Sequence, residues 1–249
     1  MIDVKRFTAV LSVTLLLILS SGYAESNTMA AEQNEQKNGV KVLKNSYDYL
    51  GSLKKYAFTA TVTNEVEVNG EKIVTKRISN AKVKRPDQFR IDTKSDYIDR
   101  TVYLSEGLFT MMDNKEKYYA NVKTSTNIDK TLEYINKKLG IVLPLSTLFH
   151  SDMSKYIHPK KVQYFGTKML GDVECDYIAF RQKKTVVHLW IENSNTPLIH
   201  SAVVVTNGTD GKGTTKMFIK WDTKPSFSND VFTFNAPNGA SNVSVEPVK

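Results

Sequence analysis

The sequence predicts a mainly β fold of the α+β class. It reads as one domain of about eleven antiparallel strands, with helices at the start and in the middle. Three observations carry this. Glu174 to Pro197 reads as a β-hairpin, in which Asp176 to Gln182 sets Tyr177, Ala179 and Arg181 against Asp176, Ile178 and Phe180. Across the polar turn Lys183-Lys184-Thr185, Val187, Leu189 and Ile191 oppose Val186, His188 and Trp190. Both faces are largely apolar, so this hairpin is expected to be covered on both sides. Second, the period becomes two from Tyr56 onward and meets Asn69-Gly70, a strong type I′ hairpin signal. Third, Gln88 to Val122 holds short alternating runs separated by turn residues, the pattern of a meander.

Taken in order, the chain opens with Lys5-Arg6, an apolar run from Ala9 to Leu19, and the small residues Gly22 and Ala24 around Tyr23. This is the pattern of a signal peptide over residues 1–24, and the apolar run is shorter than a membrane span needs. A retained anchor is the alternative. The remainder is expected to be exported, periplasmic and soluble. Residues 25–38 are polar and aperiodic and read as a flexible leader. Residues 39–249 then form the single domain.

Val40, Leu43, Tyr47 and Leu50 recur at helical spacing, and Gly51 is read as the stop. In the first hairpin Phe58, Ala60, Val62, Val66 and Val68 share a face. Pairing outward from Asn69-Gly70 sets Val66 opposite Ile73, Phe58 opposite Ala81, and Val62 opposite Arg77, a charge on an apolar face. Either a bulge shifts the register, the favoured reading, or the face opens toward polar contents.

Arg85-Pro86-Asp87 forms the next turn, since proline resists a sheet interior. Strands follow at Gln88 to Thr93, Tyr97 to Leu104, Leu108 to Asp113 and Lys117 to Val122. Thr126 to Asp129 resembles a capping box, and Ile128, Leu132, Ile135 and Leu139 line a helical face ended by Gly140. Pro144 to Phe149 reads as a second short helix. Strands resume at Val162 to Leu170 and pass through the 174–197 hairpin. They continue at Leu198 to Thr206, Thr214 to Trp221 and Val231 to Phe234, with a glycine-rich turn at Asn207 to Gly213.

Composition limits the chemistry. Apolar residues at 41% support a real core, and the formal net charge of +8 suits anionic lipid headgroups, cell-wall polymers or nucleic acid. The lysines are scattered, which also fits a solvated basic surface. Cys175 is the single cysteine, so no internal disulfide is available, and a buried inert thiol is expected. His150, His158, His188 and His200 have no metal-ligand spacing, so no metal or cofactor is expected. Asp92, Asp96 and Asp99 surround one turn and read as turn formers rather than an acid–base pair. No GxSxG elbow occurs. The loop Asn207 to Gly213 lacks phosphate-loop spacing and joins two strands. Nucleic-acid binding wants basic and aromatic residues interleaved on one strand face; Tyr118-Tyr119 beside Lys115 and Lys117 comes nearest but reads as packing, and export argues against that partner.

Three stretches carry a resemblance: Lys84-Arg-Pro-Asp-Gln-Phe-Arg90, Gly171-Asp-Val-Glu-Cys-Asp-Tyr-Ile-Ala-Phe-Arg-Gln182 and Leu189-Trp-Ile-Glu-Asn-Ser-Asn-Thr-Pro197. With the order of elements, they resemble a family of predicted bacterial periplasmic proteins of unassigned function. That family lies within the lipoprotein-carrier (LolA/LolB-like) superfamily, and the likeness spans roughly residues 40–240. The resemblance implies a strongly curved antiparallel sheet, an unclosed β-barrel, with helices covering its concave face. It implies a lipid, a lipidated protein or another hydrophobic ligand held there by a non-catalytic carrier or sensor, and a monomer is expected. A transient membrane or envelope-protein partner would load or unload it.

The candidate lining residues are Phe58, Val62, Val66, Phe89, Ile91 and Trp190, with Leu132, Ile135, Leu139 and Leu148 on the cover. A one-residue slip in register would reverse the strand assignments. The competing class is an envelope interaction or regulatory module that docks through a sheet edge or exposed patch. A hydrolase is the least favoured reading, for want of a nucleophile–base signature.

Overall fold

The structure, a computed structural model, describes residues 38–157, 159, 161–208, 211–228 and 230–247. The signal peptide and almost all of the leader expected from the sequence lie outside the described residues, as does His158. A first helix, α1, covers residues 38–52. Six strands follow: β1 (Lys55–Val68), β2 (Glu71–Lys84), β3 (Gln88–Ser95), β4 (Asp99–Ser105), β5 (Leu108–Asp113) and β6 (Tyr118–Lys123). Helix α2 (Ile128–Leu139) and two 3-10 turns, Ser146–Phe149 and Met153–Lys155, separate them from the second half. That half comprises β7 (Val162–Leu170), β8 (Val173–Gln182), β9 (Thr185–Glu192), β10 (Ile199–Gly208), β11 (Gly211–Asp222) and β12 (Ser241–Asn242).

All twelve strands form one sheet in the order β12-β6-β5-β4-β3-β2-β1-β11-β10-β9-β8-β7. Neighbours are antiparallel except β12, which lies parallel to β6. The outer strands β12 and β7 do not pair, so the sheet curves without closing. The crossing from first half to second is made by the long β1, which pairs β2 on one side and β11 on the other. Pairing across such a sequence distance costs loop-closure entropy and is repaid by the buried face it completes.

That buried face explains the strand pattern. Even-numbered residues of β1 from Tyr56 to Val62 are buried, and their partners Val83 and Ala81 on β2 and Ile219 on β11 are buried with them. Leu43, Tyr47 and Leu50 of α1 and Ile128, Leu132, Ile135 and Leu139 of α2 join the same core cluster. Helix α2 is well terminated. The Asn127 side chain accepts from the Lys130 amide, and Gly140 takes the left-handed conformation at φ 65° with its N–H bonded to Asn136. Lys137 and Lys138 complement the dipole of its last turn.

The structure corrects several expectations. No bulge separates Val66 from Phe58: the β1–β2 register is continuous from Val68 to Lys55, and Val62 does face Arg77. Gly51 does not stop α1 but lies inside it, where an added Cβ would stand 2.4 Å from the Ser151 carbonyl oxygen. The glycine is there for close approach, not for backbone freedom. The N-cap of α2 is Asn127, one residue later than a capping box would place it, because the Asp129 carboxylate is engaged elsewhere. Val231 to Phe234 is not a strand. Phe232 is buried and Phe234 packs on Tyr103 and Tyr119, so the tail crosses the outer sheet face by side-chain contact. β4 begins at Asp99, not Tyr97, which is exposed in the preceding turn.

Candidate ligand face beneath the helical cover

The segment from Ile128 to Ile157 covers the apolar sheet face, and two polar knots hold it in place. The first centres on Arg85 in the β2–β3 turn. Its guanidinium donates to the carbonyls of Leu53 (Nε, 3.2 Å), Phe149 (Nη1) and His150 (Nη2, 2.9 Å), and to the Tyr56 hydroxyl at 3.1 Å. Tyr56 in turn donates to the Leu148 carbonyl at 2.6 Å, and the guanidinium lies 5.4 Å from the centroid of its ring. Only arginine offers this planar fork of donors. The fork satisfies carbonyls that the short 3-10 turn cannot bond internally.

The second knot joins α2 to the end of that turn. Asp129 accepts from Ser151 Oγ at 2.6 Å and from the Ser151 amide at 3.0 Å, and lies 2.7 Å from His150 Nδ1. Burial alone would raise the Asp129 carboxyl, but the bonds from His150 and Ser151 outweigh it and hold the group at about 2. Ser151 and His150 both serve the aspartate, which makes the arrangement a clasp. His150 also stacks on Tyr156 at 3.7 Å.

Of the residues singled out from the sequence, Phe58, Val62, Phe89, Ile91, Leu132, Ile135, Leu139 and Leu148 meet in one buried cluster. The cover therefore supplies the side chains that fill the concavity. Two others stand elsewhere. Val66 shares the face of Val62 but lies beyond the cover and is 43% exposed. Trp190 belongs to the opposite face, because β9 turns Val187, Leu189 and Ile191 inward. There it stacks on Tyr177 at 4.7 Å, and Tyr177 stacks on Phe165 at the same distance. This aromatic ladder accounts for the two apolar faces of the hairpin. No helix covers it among the described residues, contrary to the sequence expectation.

Sequence reasoning missed the aromatics that finish the cluster. Phe149 stacks on Phe89 at 5.5 Å and approaches Phe58 at 5.9 Å, and Trp221 lies 5.0 Å from Phe58. Trp221 also donates from Nε1 to the Ile199 carbonyl. It missed Arg85 as well, whose only signal was the Arg-Pro-Asp turn.

Beyond the cover the same sheet face opens. Val66 and its partner Ile73 are 43% and 45% exposed, and Arg77 sits between them and the buried core. Arg77 is half-buried, its Nε is buried without a hydrogen-bond partner, and burial pulls its pKa down. Two grooves flank the cover. One of about 600 Å³ runs between α1 and residues 151–157, 159 and 162, and one of about 320 Å³ lies beside α2 at Leu132, Ile135, Leu143 and Tyr156.

The Tyr47 hydroxyl is likewise buried without a partner, whereas several of the carboxylates and histidines singled out from the sequence are engaged. Asp92 receives Arg90 and Thr101, while Asp99 receives Asn114 and Lys94. His188 bonds the Tyr177 hydroxyl, and His200 bonds Glu192. Cys175 is fully buried, and burial first, then Glu192 and Asp176, push its thiol up to about 11. No cluster of three metal-ligating side chains occurs among the described residues. Among them also, no helix is long and apolar enough to cross a membrane.

An unclosed, mainly antiparallel sheet with its apolar face under a helical cover defines a half-barrel. Within that class, the chain belongs to the family described as predicted periplasmic protein (DUF2092), whose match runs over residues 39–246. No curated protein matches the sequence. Among solved structures, the chain is similar to an uncharacterized conserved protein from Thermus thermophilus. That match has 9% identity and a TM-score of 0.48, over 83% of this chain and 99% of that one. It is similar to lipoprotein LppX of Mycobacterium tuberculosis, with 10% identity and a TM-score of 0.44, over 77% and 98%. It is similar also to a LolA superfamily protein from Nitrosomonas europaea, with 7% identity and a TM-score of 0.39, over 79% and 97%.

Proposed function

We propose that this protein is a non-catalytic periplasmic carrier or sensor. It holds a lipid or lipid-modified protein on the concave face of its half-barrel. The observation that carries the reading is the continuity of that face. It runs without a register break from Phe58 and Val62 beneath the cover to exposed Val66 and Ile73 beyond it.

The cover is suited to exchange with an apolar ligand. Leu132, Leu139 and Leu148 fill the concavity with aliphatic side chains, so an acyl chain replaces like with like. The hydrophobic contribution of the sheet face, roughly 25 cal/mol per Å², is then largely conserved. The Arg85 and Asp129 knots set the remaining cost of opening, and they are polar bonds that water can replace. Phe58, Val62, Phe89, Ile91, Ile135 and the same leucines would line the bound chain.

The test is mass spectrometry of an organic extract of residues 25–249, purified from a periplasm without detergent. A stoichiometric lipid is expected, lost in Val62→Asp or Leu132→Asp while circular dichroism shows the fold retained. Protein that is empty as isolated, and stays empty after incubation with envelope-lipid vesicles, would overturn the carrier reading. The alternative is an interaction module, favoured by one row on the outer face. There Phe218 and Ile78, both largely exposed, flank Thr61 in register.

A further inference from the structure

Arg77 is the one charged residue that the β1–β2 register places directly opposite the buried floor of the half-barrel, facing Val62. Val62 is 1% exposed, so the guanidinium adjoins fully dry surface on that side. Burying part of a cation without a partner costs free energy that folding alone does not return. Its neighbours do not provide a counter-charge. Ser95 is its partner on β3, and Thr75 and Ser79 flank it on the same face of β2. Ser79 is bonded to Thr93, and the side-chain carbonyl of Asn64 is taken by Thr215. The acids on that face stand away from it: Glu71 is six residues along β2, and Asp113, three strands over, is paired with Arg100 and bonded by the amides of Lys115 and Glu116. No ion pair among the described residues involves Arg77.

We propose that Arg77 is the headgroup anchor of the concave face and that the ligand is an anionic amphiphile. Its phosphate meets the guanidinium while its acyl tail runs over Val62 toward Ala81 and Phe58. The proposal rests on the carrier reading and narrows it to a charge class. Its Nε is buried without a partner, which leaves the guanidinium unmatched by any protein acceptor, and a fork of N–H donors is what a phosphate oxyanion accepts. The polarity of the face matches the ligand. On the Arg77 side Val66 and Ile73 are open to water, whereas four residues along β2, about 13 Å away, Ala81 is buried. A charged head therefore stays at the rim and an apolar tail goes under the cover.

The experiment compares two amphiphiles of equal tail length, dodecyl phosphate and dodecyl maltoside. Binding to residues 25–249 is followed by titration calorimetry, with each probe below its micelle concentration. Wild type is expected to bind the phosphate at least about tenfold more tightly. Arg77→Met should abolish that preference while leaving the maltoside affinity within about twofold. Lys220→Gln, which removes a cation from the outer face, should retain the preference and so separates the anchor from the general positive charge. Equal affinity of wild type for both probes, or a preference that survives in Arg77→Met, overturns the anchor while leaving the carrier reading intact. Failure of wild type to bind either probe overturns both.

Discussion

Arg85 Nη2 donates to the main-chain carbonyl of His150 at 2.9 Å, tying the β2–β3 turn to the end of the helical cover. Because the same guanidinium also holds Leu53 and Phe149, it joins three segments distant in sequence. Charge-assisted bonds of this kind contribute more than neutral ones, at about 1.5–3 kcal/mol each, and they are not additive.

Arg85→Lys should therefore cost about 2–3 kcal/mol, since a single ammonium cannot span the fork. Amide exchange in residues 146–157 should speed up, while the β1–β2 hairpin keeps its protection. Denaturant unfolding with site-resolved hydrogen exchange checks this. A uniform rise in exchange across the sheet would mean that Arg85 supports the whole fold and not the cover.

The Asp129 clasp predicts a pH dependence of definite sign. Its folded-state pKa of about 2 lies below the ordinary 3.8, so the folded form favours the ionised carboxylate. That stabilisation is complete above about pH 4 and is lost as pH falls from 3.8 toward 2. Allowing for partial solvent screening, Asp129→Asn should cost about 1–2 kcal/mol at neutral pH. Glu65, Asp99 and Asp152 are also held below their usual range, so the informative quantity is wild type minus variant. That difference, read from urea midpoints, should shrink as pH falls below 3.8, with most of it gone by about pH 2. A difference independent of pH would show that the carboxylate charge has no part in the clasp.

Gly51→Ala runs against helix propensity. Alanine favours a helix interior by about 1 kcal/mol over glycine, yet here its Cβ meets the Ser151 carbonyl at 2.4 Å. Backbone cannot yield as a flexible side chain does, so a net loss of about 1–3 kcal/mol is expected. A thermal melt decides it: a raised Tm would show that α1 stands farther from the cover than this geometry holds.

Much of the sheet was legible in advance. Alternation from Phe58 to Val68 and the Asn69-Gly70 turn, both with positive φ in the structure, define the β1–β2 register to the residue. The core stripe of α2 was equally plain, because Ile128, Leu132, Ile135 and Leu139 can share a face only in a helix. The candidate ligand face was partly legible. Val62 and Arg77 were placed opposite each other by counting from the turn, but a charge on an apolar face suggested a bulge, since local rules penalise burial of an unpaired cation. Trp190 was assigned inward because both faces of its hairpin are apolar, and alternation alone cannot tell which face meets the helices.

The amino-acid sequence by itself determined the strands, the central helix, their turns and one continuous apolar stripe, because those depend on neighbours a few residues apart. Tertiary structure alone decided which stripe became the floor and how far the cover reaches along it. It also decided that Arg85, Asp129 and Gly51 serve the cover, and that Arg77 stands without a counter-ion at its rim. Each of these depends on contacts between segments brought together by the curvature of the sheet. A guanidinium's partners are carbonyls that every residue carries, so no side-chain pattern announces them in the chain.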